Sequence, residues 1–167
     1  MGQVVTLEEL VSAVVRHRRV ADSLNQQSTI VFTNGCFDLL HVGHVRLLQH
    51  ARTLGNFIIV GVNSDESVRY AKGPLRPLVP EEERAEIVAS ILGVTYAFIF
   101  REPTPLSIIK LLVPDVLIKG ADWGEAIVGS EEIRKSGGMV VSFPLVGTRS
   151  SSQLIRSIQQ RYYHEGG

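Results

Sequence analysis

Apolar residues recur in two registers along this chain. Near the N-terminus, Leu7, Leu10, Val11, Val14 and Val15 fall at helical spacing, and Thr6 with Glu9 makes a capping box, so residues 6–24 are predicted to be a helix. Beyond it, short apolar runs at 29–33, 57–62, 95–100, 116–119 and 139–143 alternate with amphipathic segments. Those segments carry readable ends. Segment 44–54 stops at Gly55; 80–92 opens on glutamates and stops at Gly93; Thr104-Pro105 opens a segment that Pro114 closes. Segments 130–136 and 150–163 complete the set. Apolar runs without polar alternation, separated by helices, predict an α/β fold with a parallel sheet covered on both faces.

Composition narrows the function classes. The chain has 167 residues, 44% of them hydrophobic, which suits one domain with a full core: residues 1–167, with 1–28 as an N-terminal helical segment packed on it. Lys plus Arg equals Asp plus Glu at 17 each, so no global field draws nucleic acid or an anionic membrane, and neither is expected as a partner. The basic cluster Arg16, His17, Arg18 and Arg19 reads as a solvated face near a helix end. Cys36 is the single cysteine and offers neither a disulfide nor zinc-ligand spacing. With no run long enough to span a membrane and no leader-like N-terminus, a cytoplasmic protein is expected.

In an open parallel sheet, ligands bind beyond the carboxyl ends of the strands, where strand order reverses. Polar, phosphate-compatible residues collect after those runs. The first is followed by Asn34-Gly35-Cys36-Phe37-Asp38-Leu39-Leu40-His41-Val42-Gly43-His44. The second is followed by Asn63-Ser64-Asp65 and then Lys72-Gly73 and Arg76-Pro77. The fourth ends in Lys119-Gly120-Ala121-Asp122-Trp123, and Arg149-Ser150-Ser151-Ser152 opens the last helix. His41 and His44 stand three apart around Gly43, with the second opening a helix. At that spacing two imidazoles can face one ligand, the glycine permits close approach, and a helix N-terminus adds N–H donors for an anion.

Several chemistries lose support. There is no GxGxxG after the first run, no GxxxxGK[ST] and no GxSxG. The pair His41 and His44 with Asp38 lacks a third metal ligand at convincing spacing, so no protein-held metal is expected.

The segment TNGCFDLLHVGH resembles the HxGH nucleotidyltransferase superfamily, and the likeness runs from about Thr29 to Ile158. LGNFIIVGVNSDESV, KGPLRPLVPEEERAEIV, EPTPLSIIKLLVPDVLIKGADW and the serine run make the chain most similar to the heptose 1-phosphate adenylyltransferase domains of ADP-heptose synthases, here standing alone. Three features depart from that pattern. Ser150-Ser151-Ser152 replaces a Ser-Thr-Thr; Arg149 stands where an uncharged residue is expected; and Asp122-Trp123 is similar to a pair in glycerol-3-phosphate cytidylyltransferases. The resemblance implies a Rossmann-like five-stranded parallel sheet in the order 3-2-1-4-5.

It also implies a reaction. A sugar 1-phosphate, D-glycero-β-D-manno-heptose 1-phosphate, attacks the α-phosphorus of ATP and releases pyrophosphate, giving ADP-heptose. The acceptor phosphate has a second pKa of about 6, so it is a dianion at neutral pH and needs no general base. The protein supplies alignment and positive potential. His41, His44 and Lys72, the last on a Gly-flanked loop, are the implied catalytic residues. Thr33, Asn34, Gly35, Cys36, Phe37, Gly43, Lys119, Gly120, Ser150, Ser151 and Ser152 are the implied nucleotide contacts. Asp38, Asn63, Asp65, Arg76, Asp122 and Trp123 are the implied acceptor contacts. Asp38 has three readings: it holds a histidine tautomer, receives a ligand hydroxyl, or caps its turn. Arg76 meets phosphate or pairs with one of Glu81, Glu82 or Glu83, and Trp123 stacks on the base or fills the core. Mg²⁺ is expected to arrive with the triphosphate. A homodimer and a separate heptose kinase are the implied partners. Two rival readings stand beside this one: a cytidylyltransferase acting on glycerol 3-phosphate or a related polyol phosphate, and a non-catalytic nucleotide-binding module.

Overall fold

A computed structural model describes residues 2–120, 127–144 and 150–163. In chain order the elements are β1 (Gln3–Val4), α1 (Leu7–Ser23), β2 (Ile30–Gly35), α2 (Val42–Leu54), β3 (Phe57–Asn63), α3 (Asp65–Lys72) and α4 (Glu81–Ala89). They continue as β4 (Tyr96–Phe100), α5 (Leu106–Leu112), β5 (Val116–Gly120), α6 (Ser130–Lys135), β6 (Met139–Phe143) and α7 (Ser151–Tyr163). All strand pairs are parallel, in the order β1-β4-β3-β2-β5-β6.

The expectation of five strands is therefore corrected to six. The added strand, β1, is an exposed dipeptide with no apolar run to announce it. Backbone bonding makes it: the Gln3 N–H donates to the Thr95 carbonyl at 3.1 Å and the Val5 N–H to that of Ala97 at 3.0 Å. Helix α3 is also absent from the sequence expectations. Its eight residues, DESVRYAK, bury only Val68, so no helical apolar stripe reveals it.

Two apolar layers explain why the strand sequences do not alternate. Ile30, Phe32 and Leu117 face one layer with Leu10 and Val14 of α1 and Ile108, Ile109 and Leu112 of α5. Val31, Val116 and Ile118 face the other with Leu47, Leu48 and Ala51 of α2 and Ala85 and Val88 of α4. Each central strand is thus buried on both sides. The capping box of α1 is present as predicted, with the Glu9 N–H donating to Thr6 Oγ1 at 3.2 Å and the Thr6 N–H to Glu9 Oε2 at 2.8 Å. At α5 the N-cap is Pro105, not Thr104, and no side chain caps it.

The basic cluster of α1 is only partly a solvated face. His17 stacks on Phe57 at 4.2 Å, and Arg18 donates to the Val113 carbonyl at 2.5 Å.

The strand order reverses between β2 and β5. Strand β2 keeps register with β3 along its whole length, from Ile30↔Phe57 to Gly35↔Val62. With β5 it keeps only Val31↔Val116 and Phe32↔Leu117. Beyond those pairs the carboxyl ends of the two strands are joined by a side chain, Lys119, whose Nζ donates to the Asn34 carbonyl at 2.9 Å. A crevice opens there.

Candidate active site

A cavity of about 200 Å³ occupies that crevice. Its floor is the end of β2 and the following loop: Asn34, Gly35, Cys36 and Phe37. One wall is the start of α2, with His41, Gly43, His44 and Leu47; opposite lie Lys119, Gly120, Phe143 and Pro144. Lys72, Arg76 and Ser150, Ser151 and Ser152 complete it. Leu47, Phe143 and Pro144 were not among the expected residues; their apolar side chains carry no chemical signature in the sequence.

The two histidines form the N-terminal cap of α2. His41 is the N-cap residue and the helix starts at Val42, two residues before the expected start at His44. His41 Nδ1 accepts from the Gly43 N–H at 3.2 Å, and His44 Nδ1 accepts from the His41 N–H at 3.4 Å. An imidazole nitrogen that accepts is unprotonated, so each neutral ring carries its proton on Nε2. The rings stack with centroids 3.9 Å apart. Gly43 is required by this cap: a Cβ there would sit 2.9 Å from the His41 ring. Burial, reinforced by the neighbouring His41, lowers the His44 pKa to about 4. At neutral pH His44 is therefore a hydrogen-bond donor without charge.

Cationic groups surround this pair. Lys119 is buried at the end of β5, and the exposed Lys72 is the last residue of α3. The expected flexible loop around Lys72 is thereby corrected, since the helix persists until Gly73, at φ +96°, ends it. Arg76 reaches the cavity from the segment between α3 and α4. Burial raises the Cys36 pKa, which keeps its thiol protonated at neutral pH and leaves no thiolate nucleophile.

Asp38 lies behind the cavity wall. Fully buried at its side chain, it accepts from Arg76 Nε at 2.5 Å and from the Leu78 and Val79 N–H groups at 2.8 and 3.1 Å. Both its oxygens are used to hold segment 76–79, not a histidine tautomer. Arg76 correspondingly pairs with Asp38 and not with the α4 glutamates, and its Nη1 lies 3.5 Å from Ser152 Oγ. Asn63 and Asp65 also lie outside the cavity lining. Asn63 Nδ2 donates to Ser67 Oγ at 3.0 Å, and Asp65 pairs with Arg84 at 2.7 Å. Thr33 is buried in β2 and does not line the cavity. Asp122, Trp123 and Arg149 fall outside the described residues.

The serine run opens α7. Ser150 caps it reciprocally with Gln153: the Gln153 N–H donates to Ser150 Oγ at 3.2 Å, and the Ser150 N–H to Gln153 Oε1 at 2.7 Å. Ser151 Oγ donates to the Leu39 carbonyl at 2.8 Å, docking the helix onto the β2–α2 loop. Two helix N-termini, α2 and α7, thus meet at one cavity whose described lining holds no carboxylate. Among the described residues no group of three or more His, Cys, Asp or Glu is placed to hold a metal ion. The arrangement suits a polyanion. Asn34 adds a buried side-chain oxygen with no hydrogen-bond partner among the described residues, an acceptor for a ligand hydroxyl or amine.

Comparison with known proteins agrees with this chemistry. Residues 32–161 match the cytidylyltransferase-like family. Bifunctional protein HldE of Syntrophotalea carbinolica is 44% identical over 174 residues, covering 95% of this chain and 36% of the relative. HldE of Koribacter versatilis is 47% identical over 155 residues, covering 92% and 31%. The chain thus spans about a third of the length of the curated relatives it matches. Among solved structures, pantothenate synthetase from Thermus thermophilus superposes with a TM-score of 0.64 at 18% identity, covering 95% of this chain and 70% of that one. A lipopolysaccharide core biosynthesis protein from Thermoplasma volcanium gives 0.58 at 24% identity, covering 74% and 100%. These two establish likeness of fold. No described helix is long and apolar enough to cross a membrane. With its family match spanning most of the chain and its cation-lined crevice at the strand-order reversal, the chain belongs to the cytidylyltransferase-like family.

Proposed function

We propose that the chain transfers AMP from ATP to a sugar 1-phosphate, D-glycero-β-D-manno-heptose 1-phosphate, giving ADP-heptose and pyrophosphate by direct in-line attack. The observation that carries the reading is the pairing of His41 and His44 in one cap, where each Nδ1 accepts a backbone N–H and the proton of each neutral ring is thereby fixed on Nε2. The motifs KGPLRPLVPEEERAEIV and EPTPLSIIKLLVPDVLIKGADW support the sugar and the base through the resemblance they carry, and the 44% identity to a bifunctional protein HldE is in keeping with it.

In this reading no side chain takes a proton. The acceptor phosphate, with a second pKa of about 6, attacks as a dianion. His41 and His44 donate to the triphosphate oxygens as charge shifts toward the leaving pyrophosphate. A neutral donor held by its own cap loses nothing to reorganisation, which is where such groups gain their effect. The N-terminus of α7 receives the β- and γ-phosphates. Lys119 and Arg76 set the potential from opposite sides, and Lys72 joins the triphosphate to the acceptor. Mg²⁺ would arrive bound to the triphosphate and neutralise part of its charge; the described lining, which holds no carboxylate, suits a metal that the nucleotide brings. Asp122 and Trp123 remain assigned to the acceptor and the base.

The same reading makes the chain one nucleotidyltransferase domain, cytoplasmic and homodimeric, fed by a separate heptose kinase. The test is pyrophosphate release with Mg²⁺ from ATP, CTP, GTP and UTP, each offered heptose 1-phosphate or glycerol 3-phosphate. Turnover with ATP and the heptose supports the proposal. Turnover with CTP and glycerol 3-phosphate replaces it with a polyol-phosphate cytidylyltransferase, which the name of the matched family favours. Binding of ATP without turnover on any acceptor replaces it with a regulatory nucleotide-binding module.

A further inference from the structure

One fully buried cation serves no visible part in the chemistry. Arg84, on α4, has no exposed side-chain surface. Its guanidinium reaches three separate segments. Nη1 donates to the Cys36 carbonyl in the loop after β2, Nε to the Val79 carbonyl at 2.8 Å, and Nη2 to Asp65 Oδ1 at the start of α3 at 2.7 Å. Glu81, one turn earlier on α4, strengthens the same junction: its Oε2 accepts from the Asp65 N–H at 2.6 Å while its Oε1 pairs with Arg101.

A buried ion pair is weak support for a fold, because desolvation offsets its attraction and an apolar side chain of similar size does as well. Its value lies in direction. A guanidinium is a rigid fork, so three contacts fix where each acceptor must lie. The acceptor that matters is the Cys36 carbonyl. The next residue, Phe37, has φ +49°, a left-handed backbone that a bulky side chain rarely adopts. Such strain persists only when the surroundings impose it, and it gathers at functional sites. The Phe37 ring is buried, with its centroid 5.2 Å from that of His44.

We propose that Arg84 is a positioning residue for His44: by holding the Cys36 carbonyl it keeps Phe37 left-handed, and the Phe37 ring in turn keeps His44 covered and aimed into the cavity. This rests on the nucleotidyl-transfer reading for its catalytic meaning, while the geometric part stands apart from it. Among the described residues, the rings that face His44 are those of Phe37 and His41, so removing the first uncovers His44 without changing its charged neighbourhood.

The test is the Arg84→Lys variant of the full chain, followed by NMR titration of the His44 imidazole and by pyrophosphate release. Lysine keeps the charge but cannot span three acceptors. The His44 midpoint, about 4 in the parent, is expected to rise toward the ordinary value of about 6.5. The rate constant kcat should fall by up to about 10²-fold, with KM for the triphosphate near the parent value, as misaimed groups do. A folded variant with an unmoved His44 titration and an unchanged kcat overturns the proposal. If Arg84→Lys does not fold, Asp65→Asn decides, since it removes the anion that orients the fork from a partly exposed site. It should move the His44 midpoint the same way by less, and no movement overturns the idea. A shifted titration in a parent protein that turns over no acceptor would retain the positioning role and defeat the proposed reaction instead.

Discussion

The His41 N–H points at Nδ1 of His44, 3.4 Å away, while the two rings stack at 3.9 Å. The bond that starts the helix is therefore also the bond that sets which nitrogen of the neutral His44 ring carries its proton. Structure and chemistry are carried by one contact, and the consequences are measurable.

Replacing either ring removes a donor and a cap together. His44→Ala is expected to lower kcat by about 10²–10³-fold, the usual loss for one preorganised donor. His41→Ala should add a loss of about 1 kcal/mol of stability through its N-cap. Pyrophosphate release and urea denaturation on both variants separate the two effects.

The pH dependence of stability follows from His44. Its folded-state pKa of about 4 lies below the unfolded value near 6.5, so the unfolded chain binds more protons between them. This contribution is whole above pH of about 6.5 and is lost as pH falls toward about 4. Denaturation midpoints should drop over that window, and His44→Phe should flatten the drop. His41→Ala should raise the His44 titration, because the neighbouring imidazole whose charge opposes protonation of His44 is gone.

Asp38 accepts from Arg76, Leu78 and Val79, so its loss is structural first. Asp38→Ala leaves Arg76 paired with nothing charged in a mostly buried site, at an expected cost of about 3 kcal/mol. The double variant Asp38→Ala with Arg76→Met should recover part of it. Amide exchange at Leu78 and Val79, whose N–H groups bond to Asp38, should quicken in the single variant.

Lys72 and Lys119 separate function from stability. Lys72 is exposed, so Lys72→Met should change stability by no more than about 0.5 kcal/mol while collapsing turnover. Lys119 is buried and bonds to the Asn34 carbonyl, so Lys119→Met should lower both. Thermal unfolding beside pyrophosphate release distinguishes them.

What the sequence made legible was local. The Thr6 and Glu9 box, the apolar runs, the histidine pair and the serines at a helix start each depend on neighbours within a few positions. What it hid was assembled across distance. Asp38 finds its partners at Arg76, Leu78 and Val79, and Arg84 finds one at Cys36; no periodicity joins those numbers. Strand β1 exists because the β4 edge is open to it, not because Gln3 and Val4 favour a strand. Asn63 and Asp65 follow a strand end and lie outside the cavity lining, bonded to Ser67 and, across a distance that no local pattern shows, to Arg84.

The parting of β2 from β5 leaves this strand pair with a closed end and an open end. At its closed end, the Ile30 N–H donates to Asp115 Oδ2 at 2.7 Å and the Asp115 N–H to the Ile30 carbonyl at 2.9 Å. At its open end one ammonium group spans what backbone rungs would otherwise close. A triphosphate bound there as proposed would bridge the two strand ends in place of the missing rungs. Nucleotide should therefore slow amide exchange in β2 and β5 alike, far into the sheet and well beyond the residues it touches.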